Sequence, residues 1–426
     1  MFKVYNILTN ILYPFLLILI FYRKIIRKED SIRFKEKIMI SHFNIKRRSS
    51  SKLIWFHAAS IGEYKSIIPI INQLNLNHKN LDFLLTTSTL SSGRLAEIEF
   101  KNINNVEHRY FPLDVGFLID NFLNLWKPDK IFLVDSEIWP NLVFKTKKYK
   151  IPIALINARL TSKSFRRWML FPNVAREIFK IFNLFICSNE ETKNYLNQLG
   201  LKNIHFKGNI KLADTISKNE LNNLNQNVLM EKRFWFAAST HRGEDFFCLE
   251  THKILKKQYK DIVTIIAPRH IERSREIETL AQKLELNVQI LNKNEDIEKG
   301  KEIIIINYFG ALKTYFKHAK SVFIGKSMIS KLKNSSGQSP IEAAKLNCKI
   351  YHGPYVYNFF DIYKILEENK ISYRVESSKD LSKNLIEDLK NPKKNNFDDM
   401  NFIINLGQKI LNDTMVIVEK FLNVKN

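Results

Sequence analysis

The sequence predicts an α/β protein of two doubly wound, parallel-sheet domains that face a cleft, with a membrane-anchor helix in front of them. Three observations carry this reading. The chain has 426 residues, more than one hydrophobic core ordinarily serves. Short apolar runs alternate with amphipathic ones, the pattern of strands joined by crossover helices. One strand-to-helix junction also occurs twice: residues 55–63 read W-F-H-A-A-S-I-G-E, and about 180 residues further on 234–245 read F-W-F-A-A-S-T-H-R-G-E-D. In both, an apolar strand meets small residues, a glycine and a carboxylate that opens a helix. That arrangement presents a charged group at the carboxyl end of a strand, where open α/β sheets bind ligands.

The elements follow in order. Residues 4–22 carry no charge, and 11–22 (ILYPFLLILIFY) are almost wholly apolar. Arg23, Lys24, Arg27, Lys28, Arg33, Lys35 and Lys37 follow at once. A bilayer span needs ~20 apolar residues, so 1–28 reads as a marginal span or an anchor dipping into one leaflet. The cations behind it put the body on the cytoplasmic side. A buried core helix is the competing reading; Pro14 and the basic flank favour the membrane interface. Residues 29–207 form the first domain, with strands expected at 53–56, 81–86, 130–135, 151–156 and 184–187 and a helix at 64–74. The Asn-rich stretch 208–232 breaks the alternation and reads as a linker. Residues 233–400 repeat it, with strands at 234–237, 262–267, 302–307, 321–324 and 349–351. In 401–426, Phe402, Ile403, Leu406, Ile410 and Leu411 recur at helical spacing, on a helix expected to cross back onto the first domain.

Lys and Arg total 67 against 43 Asp and Glu, a formal charge of +24. Such a surplus suits an anionic surface or a phosphorylated substrate. Because the cations are spread, a plain compositional bias explains them equally well. Three distant cysteines, Cys187, Cys248 and Cys348, form neither a disulfide framework nor a CxxC site, which points to a reducing compartment. His57, His241, His270, His318 and His352 show no metal-ligand spacing, so no metal is expected. No G-x-G-x-x-G and no P-loop is present, which argues against dinucleotide redox chemistry and NTP hydrolysis.

Several strand ends hold chemistry-bearing residues. Ser60-x-x-Glu63 is a capping box, and Glu63 is also a candidate general base if a cleft desolvates it. Gly62 would let a substrate approach closely. In D-S-E-I-W-P-N (135–141), Asp135 or Ser136 reads as a helix cap and Glu137 as the functional acid. N-A-R-L-T-S-K-S-F-R-R-W (157–168) supplies Arg159 and Arg166, cations suited to carboxylates or phosphates or to a solvated helix face. In the second half Pro268-Arg269 ends a strand, and Phe309, Gly310 and Ala311 offer backbone N–H groups. Ser339, Pro340, Ile341 and Glu342 read as a helix start with Ser339 at the cap and Pro340 at its first position, a seat for a phosphate.

These motifs, with G-N-I-K-L-A-D (208–214), A-P-R-H-I-E-R (267–273) and H-G-P-Y-V-Y-N-F (352–359), stand in an order that closely resembles the 3-deoxy-D-manno-octulosonic acid (Kdo) transferases of lipid A glycosylation. The resemblance covers the whole chain, anchor included. It implies the GT-B arrangement of two Rossmann-like domains and an inverting glycosyltransferase that needs no metal and no cofactor. CMP-Kdo would be the donor, and the 6′-hydroxyl of a tetraacylated lipid A precursor the acceptor. It further implies Glu63 as general base, Glu137 and Lys211 as transition-state stabilisers, and the 268–269, 309–311 and 339–342 segments as the CMP site. Ser60, Gly62, Arg159 and Arg166 would contact the acceptor or the Kdo carboxylate. The enzyme would work on the cytoplasmic face of the inner membrane, against its anionic surface, with no nucleic-acid partner. The chain departs from the family where G-H-N-P-L-E is replaced by G-Q-S-P-I-E (337–342). The alternatives are a GT-B enzyme that uses another nucleotide sugar, and a membrane-tethered basic protein without catalysis.

Overall fold

Two seven-stranded sheets, every neighbouring pair parallel, organise the chain in the computed structural model. It describes residues 2–43, 51–214, 221–391 and 401–423. One unit comprises Met1–Thr215 with Leu406–Asn426, the other Ile216–Asn405.

In the first unit the strands are β1 (Lys52–His57), β2 (Leu81–Thr87), β3 (Val106–Tyr110), β4 (Lys130–Val134), β5 (Ile153–Ala158), β6 (Leu184–Cys187) and β7 (Ile204–Phe206), in spatial order β3-β2-β1-β4-β5-β6-β7. Helices cover both faces, so the inner strands are buried on both sides and are mostly apolar, with polar residues such as Asp82, Thr86 and Asn157 buried among them. Trp55, Phe56 and Trp126 are among the largest fully buried side chains, and Phe56 stacks on Phe132 at 4.8 Å. The second unit has β8 (Phe234–Thr240), β9 (Val263–Pro268), β10 (Val288–Leu291), β11 (Ile303–Ile306), β12 (Ser321–Ile324), β13 (Lys349–His352) and β14 (Ser372–Arg374), in order β10-β11-β9-β8-β12-β13-β14. Each sheet therefore reverses its winding once, at β1/β4 and at β8/β12.

The two ends of the chain both build the first unit. The N-terminal helix, Phe2–Ile25, is long and apolar enough to cross a membrane. One side of it lies on the helices Gly116–Trp126 and Pro140–Lys148. The C-terminal helix, Asn401–Leu422, stacks Phe421 edge-on against Phe132 of β4 at 5.4 Å, and its Glu419 accepts from Asn77 Nδ2 at 3.1 Å.

The stretch 208–232 divides. Residues 208–214 belong to the first unit, where Ile210 and Leu212 of the 3₁₀ turn Ile210–Ala213 are buried. Residues 221–232 belong to the second, with the short helix Gln226–Glu231. The intervening 215–220 lie outside the described residues. Cys187, Cys248 and Cys348 are buried, and none is in a disulfide.

Candidate functional site

The carboxyl edge of the first sheet gathers charge at its winding reversal. After β1 the chain turns through Ala58-Ala59 into the helix Ile61–Asn77, capped by Ser60. Ser60 Oγ donates to Glu63 Oε1 at 2.8 Å, and the Ala59 N–H donates to Glu63 Oε2 at 2.8 Å. The capping box is real, and it fixes the carboxylate over the edge of β1. Capping and an accessible acid coexist here because one hydroxyl and one N–H leave lone pairs on both oxygens free.

Burial pushes the Glu63 carboxyl up to about 7, with the negative charges of Glu137 and then Asp135 adding to the effect against the bonds from Ser60 and Ala59. A β-carbon on the neighbouring Gly62 would meet nothing within 4 Å, so the surface beside Glu63 is open in this unit.

Across the reversal, β4 leads into Asp135, whose left-handed backbone (φ 60°) turns the chain sharply. The helix that follows, Pro140–Lys148, is capped at Trp139, so the sequence expectation of an Asp135 or Ser136 cap does not hold. Asp135 instead receives Lys211 Nζ at 2.8 Å. Glu137 Oε2 accepts from Trp139 Nε1 at 2.9 Å and lies 3.6 Å from Nε2 of the buried His57. His57 is stacked on Phe111 at 4.0 Å, and its Nδ1 lies 3.2 Å from the Thr86 carbonyl. Thr86 Oγ1 is also 3.0 Å from that nitrogen, which leaves Nε2 facing Glu137.

Sequence reasoning singled out Glu63, Glu137 and Lys211 but missed His57, Trp139 and the Asp135 ion pair. The spacing Glu137-x-Trp139 was the one available signal.

Lys211 arrives from β7 through the 3₁₀ turn, which packs on the Glu63 helix. Asn157, at a bulge where β5 shifts register against β6 (φ 48°), receives the Ile210 N–H at 3.2 Å and holds that turn. The C-terminal helix clamps the other side: a β-carbon at Gly407 would fall 2.2 Å from the Leu212 carbonyl. Arg159 donates its backbone N–H to the Asp135 carbonyl at 3.1 Å. Arg166 is exposed, its Nε directed at the Ser162 carbonyl of its own helix at 3.4 Å.

The second sheet has a matching edge. β8 bulges at Ser239 (φ 57°) and turns into the helix Glu244–Gln258. Glu244 is fully buried and accepts from the backbone N–H groups of His241, Lys326, Ser327 and Met328 at 2.7–2.9 Å. It stitches the loop after β8 to the loop after β12 across the reversal. Burial raises its carboxyl pKa, and the four N–H groups oppose the rise.

Pro268 closes β9, with the exposed Arg269 next to it. Phe309 stands 69% exposed after β11, Gly310 has φ +88° with open space around it, and Ala311 is buried. The helix start at 339–342 differs from expectation. The helix is the short Ile341–Lys345, Pro340 occupies the cap, and Ser339 Oγ accepts from Ile341 N at a long 3.4 Å. Pro340 lacks an N–H in either register, so the first-turn donors are those of Ile341, Glu342 and Ala343. Glu342 pairs with Lys313 at 3.6 Å. Among the described residues no group of three or more His, Cys, Asp or Glu could hold a metal ion.

Comparison with known proteins gives a consistent picture. A family profile described as 3-deoxy-D-manno-octulosonic-acid transferase (Kdo transferase) matches residues 33–214. A 3-deoxy-D-manno-octulosonic acid transferase of Rickettsia bellii is 30% identical over 99% of this chain and 100% of its own length. A probable mitochondrial 3-deoxy-D-manno-octulosonic acid transferase of Arabidopsis thaliana is 30% identical over 89% of this chain and 85% of its own. Among solved structures, the UDP-GlcNAc 2-epimerase of Neisseria meningitidis shares the fold at a TM-score of 0.56 and 12% identity, covering 87% of this chain and 100% of that one.

Proposed function

Given that the chain belongs to the Kdo transferase family and is a glycosyltransferase, we propose that it moves Kdo from CMP-Kdo to the 6′-hydroxyl of a tetraacylated lipid A precursor with inversion. Glu63 is the general base. Its carboxylate takes the hydroxyl proton as the acceptor oxygen bonds to the anomeric carbon of Kdo, from the face opposite CMP. The bond between that carbon and the CMP phosphate oxygen breaks, and its electron pair leaves with CMP. A carboxylate that titrates near 7 is matched to this task, since it is ionised at working pH yet basic enough to accept a proton.

Positive charge develops on the sugar in the transition state, and Glu137 and Asp135 supply negative potential beside Glu63. Lys211, paired with Asp135, supplies the cation for the Kdo carboxylate or the departing phosphate. Pro268-Arg269, 309–311 and 339–342, on the carboxyl edge of the second sheet, bind CMP in this reading. Ser60, Gly62, Arg159 and Arg166 contact acceptor or sugar. The reading uses no metal and no cofactor. The N-terminal helix and its basic flank support work at the cytoplasmic face of the inner membrane, where an acylated acceptor would reside.

The observation that carries the proposal is Glu63, held at a helix start beside two further acids and a lysine. Incubation with CMP-Kdo and the tetraacylated precursor, read by mass spectrometry, tests it. One added Kdo mass or more is expected, and Glu63→Gln should abolish it while CMP still raises the thermal midpoint. No added mass would defeat the proposal, and protection by a different nucleotide alone would point to another sugar donor.

A further inference from the structure

The N-terminal helix has two unlike sides. Ile7, Ile11, Phe15, Ile18, Tyr22 and Ile25 recur at helical spacing and are 58–77% exposed. The opposite side is tied to the first unit along its length. Phe2 stacks on Phe144 at 4.1 Å, Tyr5 donates to the buried Asp114 at 3.1 Å, and Thr9 Oγ1 accepts from Asn141 at 3.0 Å. Tyr13 donates to the Ile38 carbonyl at 2.5 Å, and Ile20 is buried among Phe34 and Ile38. A helix that crossed the bilayer would have to give up all of these contacts and leave the Tyr5 and Tyr13 hydroxyls without their partners, with Asn6 and Thr9 keeping only bonds within the helix. Docked as it is, it offers lipid one apolar stripe ~27 Å long from Ile7 to Ile25 by its rise per residue.

A second exposed apolar point lies elsewhere on the same unit. Between the helices Ser162–Trp168 and Pro172–Phe179, Leu170 is 72% and Phe171 61% exposed. Lys163, Arg166, Arg167 and Arg176 are exposed around them. The Ser162–Trp168 helix leaves the carboxyl end of β5, the same sheet edge that carries Glu63. Cations around an apolar tip match an anionic lipid headgroup layer in charge and in depth.

We propose that this unit is monotopic: the N-terminal helix lies in the plane of one anionic leaflet without crossing it, and the Leu170-Phe171 tip enters the same leaflet as a second attachment. Two attachments on one rigid unit fix its orientation on the membrane, and a single helical tether would leave it free to swivel. The occupant is a phospholipid surface, whatever sugar the enzyme transfers.

The test uses the full chain and vesicles of phosphatidylcholine with a minority of phosphatidylglycerol, which contain neither donor nor glycosyl acceptor. Failure here is therefore separate from failure of the transfer reaction. The native cysteines are buried, so Ile11→Cys and Phe171→Cys each take an environment-sensitive fluorophore at one site. Both labels should shift to the blue on adding vesicles and be quenched by headgroup-level nitroxides more than by nitroxides at the chain ends. Strongest quenching of the Ile11 label at the bilayer centre would overturn the in-plane helix. A Phe171 label that stays in water would overturn the second attachment. Leu170→Ser with Phe171→Ser should weaken vesicle partitioning by about tenfold or more, and unchanged partitioning would count against the tip.

Discussion

Glu63 carries two demands that pull in opposite directions. Its hydrogen bonds to Ser60 and Ala59 favour the carboxylate, while its burial and the charges of Glu137 and Asp135 favour the acid; the second set prevails and the group titrates near 7. The acid limb of kcat/KM should therefore bend at about pH 7. Glu137→Gln removes the larger of the two charge effects and should move that bend to lower pH, whatever it does to the plateau; a rate profile across pH decides. The same shift has a consequence for stability. A carboxyl whose folded pKa lies above its usual 4.5 binds its proton more tightly in the folded state, so stability declines as pH rises from there through about 7. Glu63→Gln should then gain on the order of 1–2 kcal/mol at about pH 8, discounted for the group's partial exposure, and the gain should vanish near pH 4.5 in parallel thermal melts. At this scale the sequence was legible where chemistry announced itself locally, as in Ser60-x-x-Glu63. It was silent where partners meet only in three dimensions. Lys211 lies 76 residues from Asp135, and nothing in the spacing joins them.

Among elements, the strands divide into those the sequence revealed and those it hid, and the division follows position in the sheet. The ten inner strands are sandwiched between helix layers, so their runs are mostly apolar and easily read. The four it hid are the edge strands β3, β7, β10 and β14. V-E-H-R-Y of β3 alternates buried and half-buried residues, and I-H-F of β7 has none fully buried. The loops of the second sheet depend on close approach as well as on charge. A β-carbon on Gly353 would lie 2.3 Å from the Ser327 carbonyl, and Gly353 donates its N–H to Ser327 Oγ at 2.9 Å. Gly353→Ala should cost about 2–4 kcal/mol, because the obstacle is backbone that cannot swing away. Glu244→Ala should be at least as damaging, since it strands four N–H groups at once. In both variants thermal melts should show the loss, and CMP should protect less.

For the molecule as a whole, the sequence conveyed two doubly wound units and an apolar start but left open how that start is used, because a stripe at helical spacing looks the same whether protein or lipid covers it. The fold as a class is shared with an epimerase at 12% identity, so the architecture alone names no chemistry. A chain shortened to end at Asn405 should lose hydrogen-exchange protection in β4 and in the 210–213 turn, while β8, β9 and β12 keep theirs. Equal loss in both sheets would contradict the independence of the second unit. The late return of the C-terminal helix also orders events during synthesis. Gly407 seats that helix on Leu212, the neighbour of Lys211, yet it is translated some two hundred residues later. A nascent chain can complete its second unit while still on the ribosome, but the lysine turn stays unclamped until residues 406–422 clear the exit tunnel. The unit that carries Glu63 is thus completed only by the last helix, and a premature stop codon there would leave that unit unfinished while the second keeps all seven of its strands.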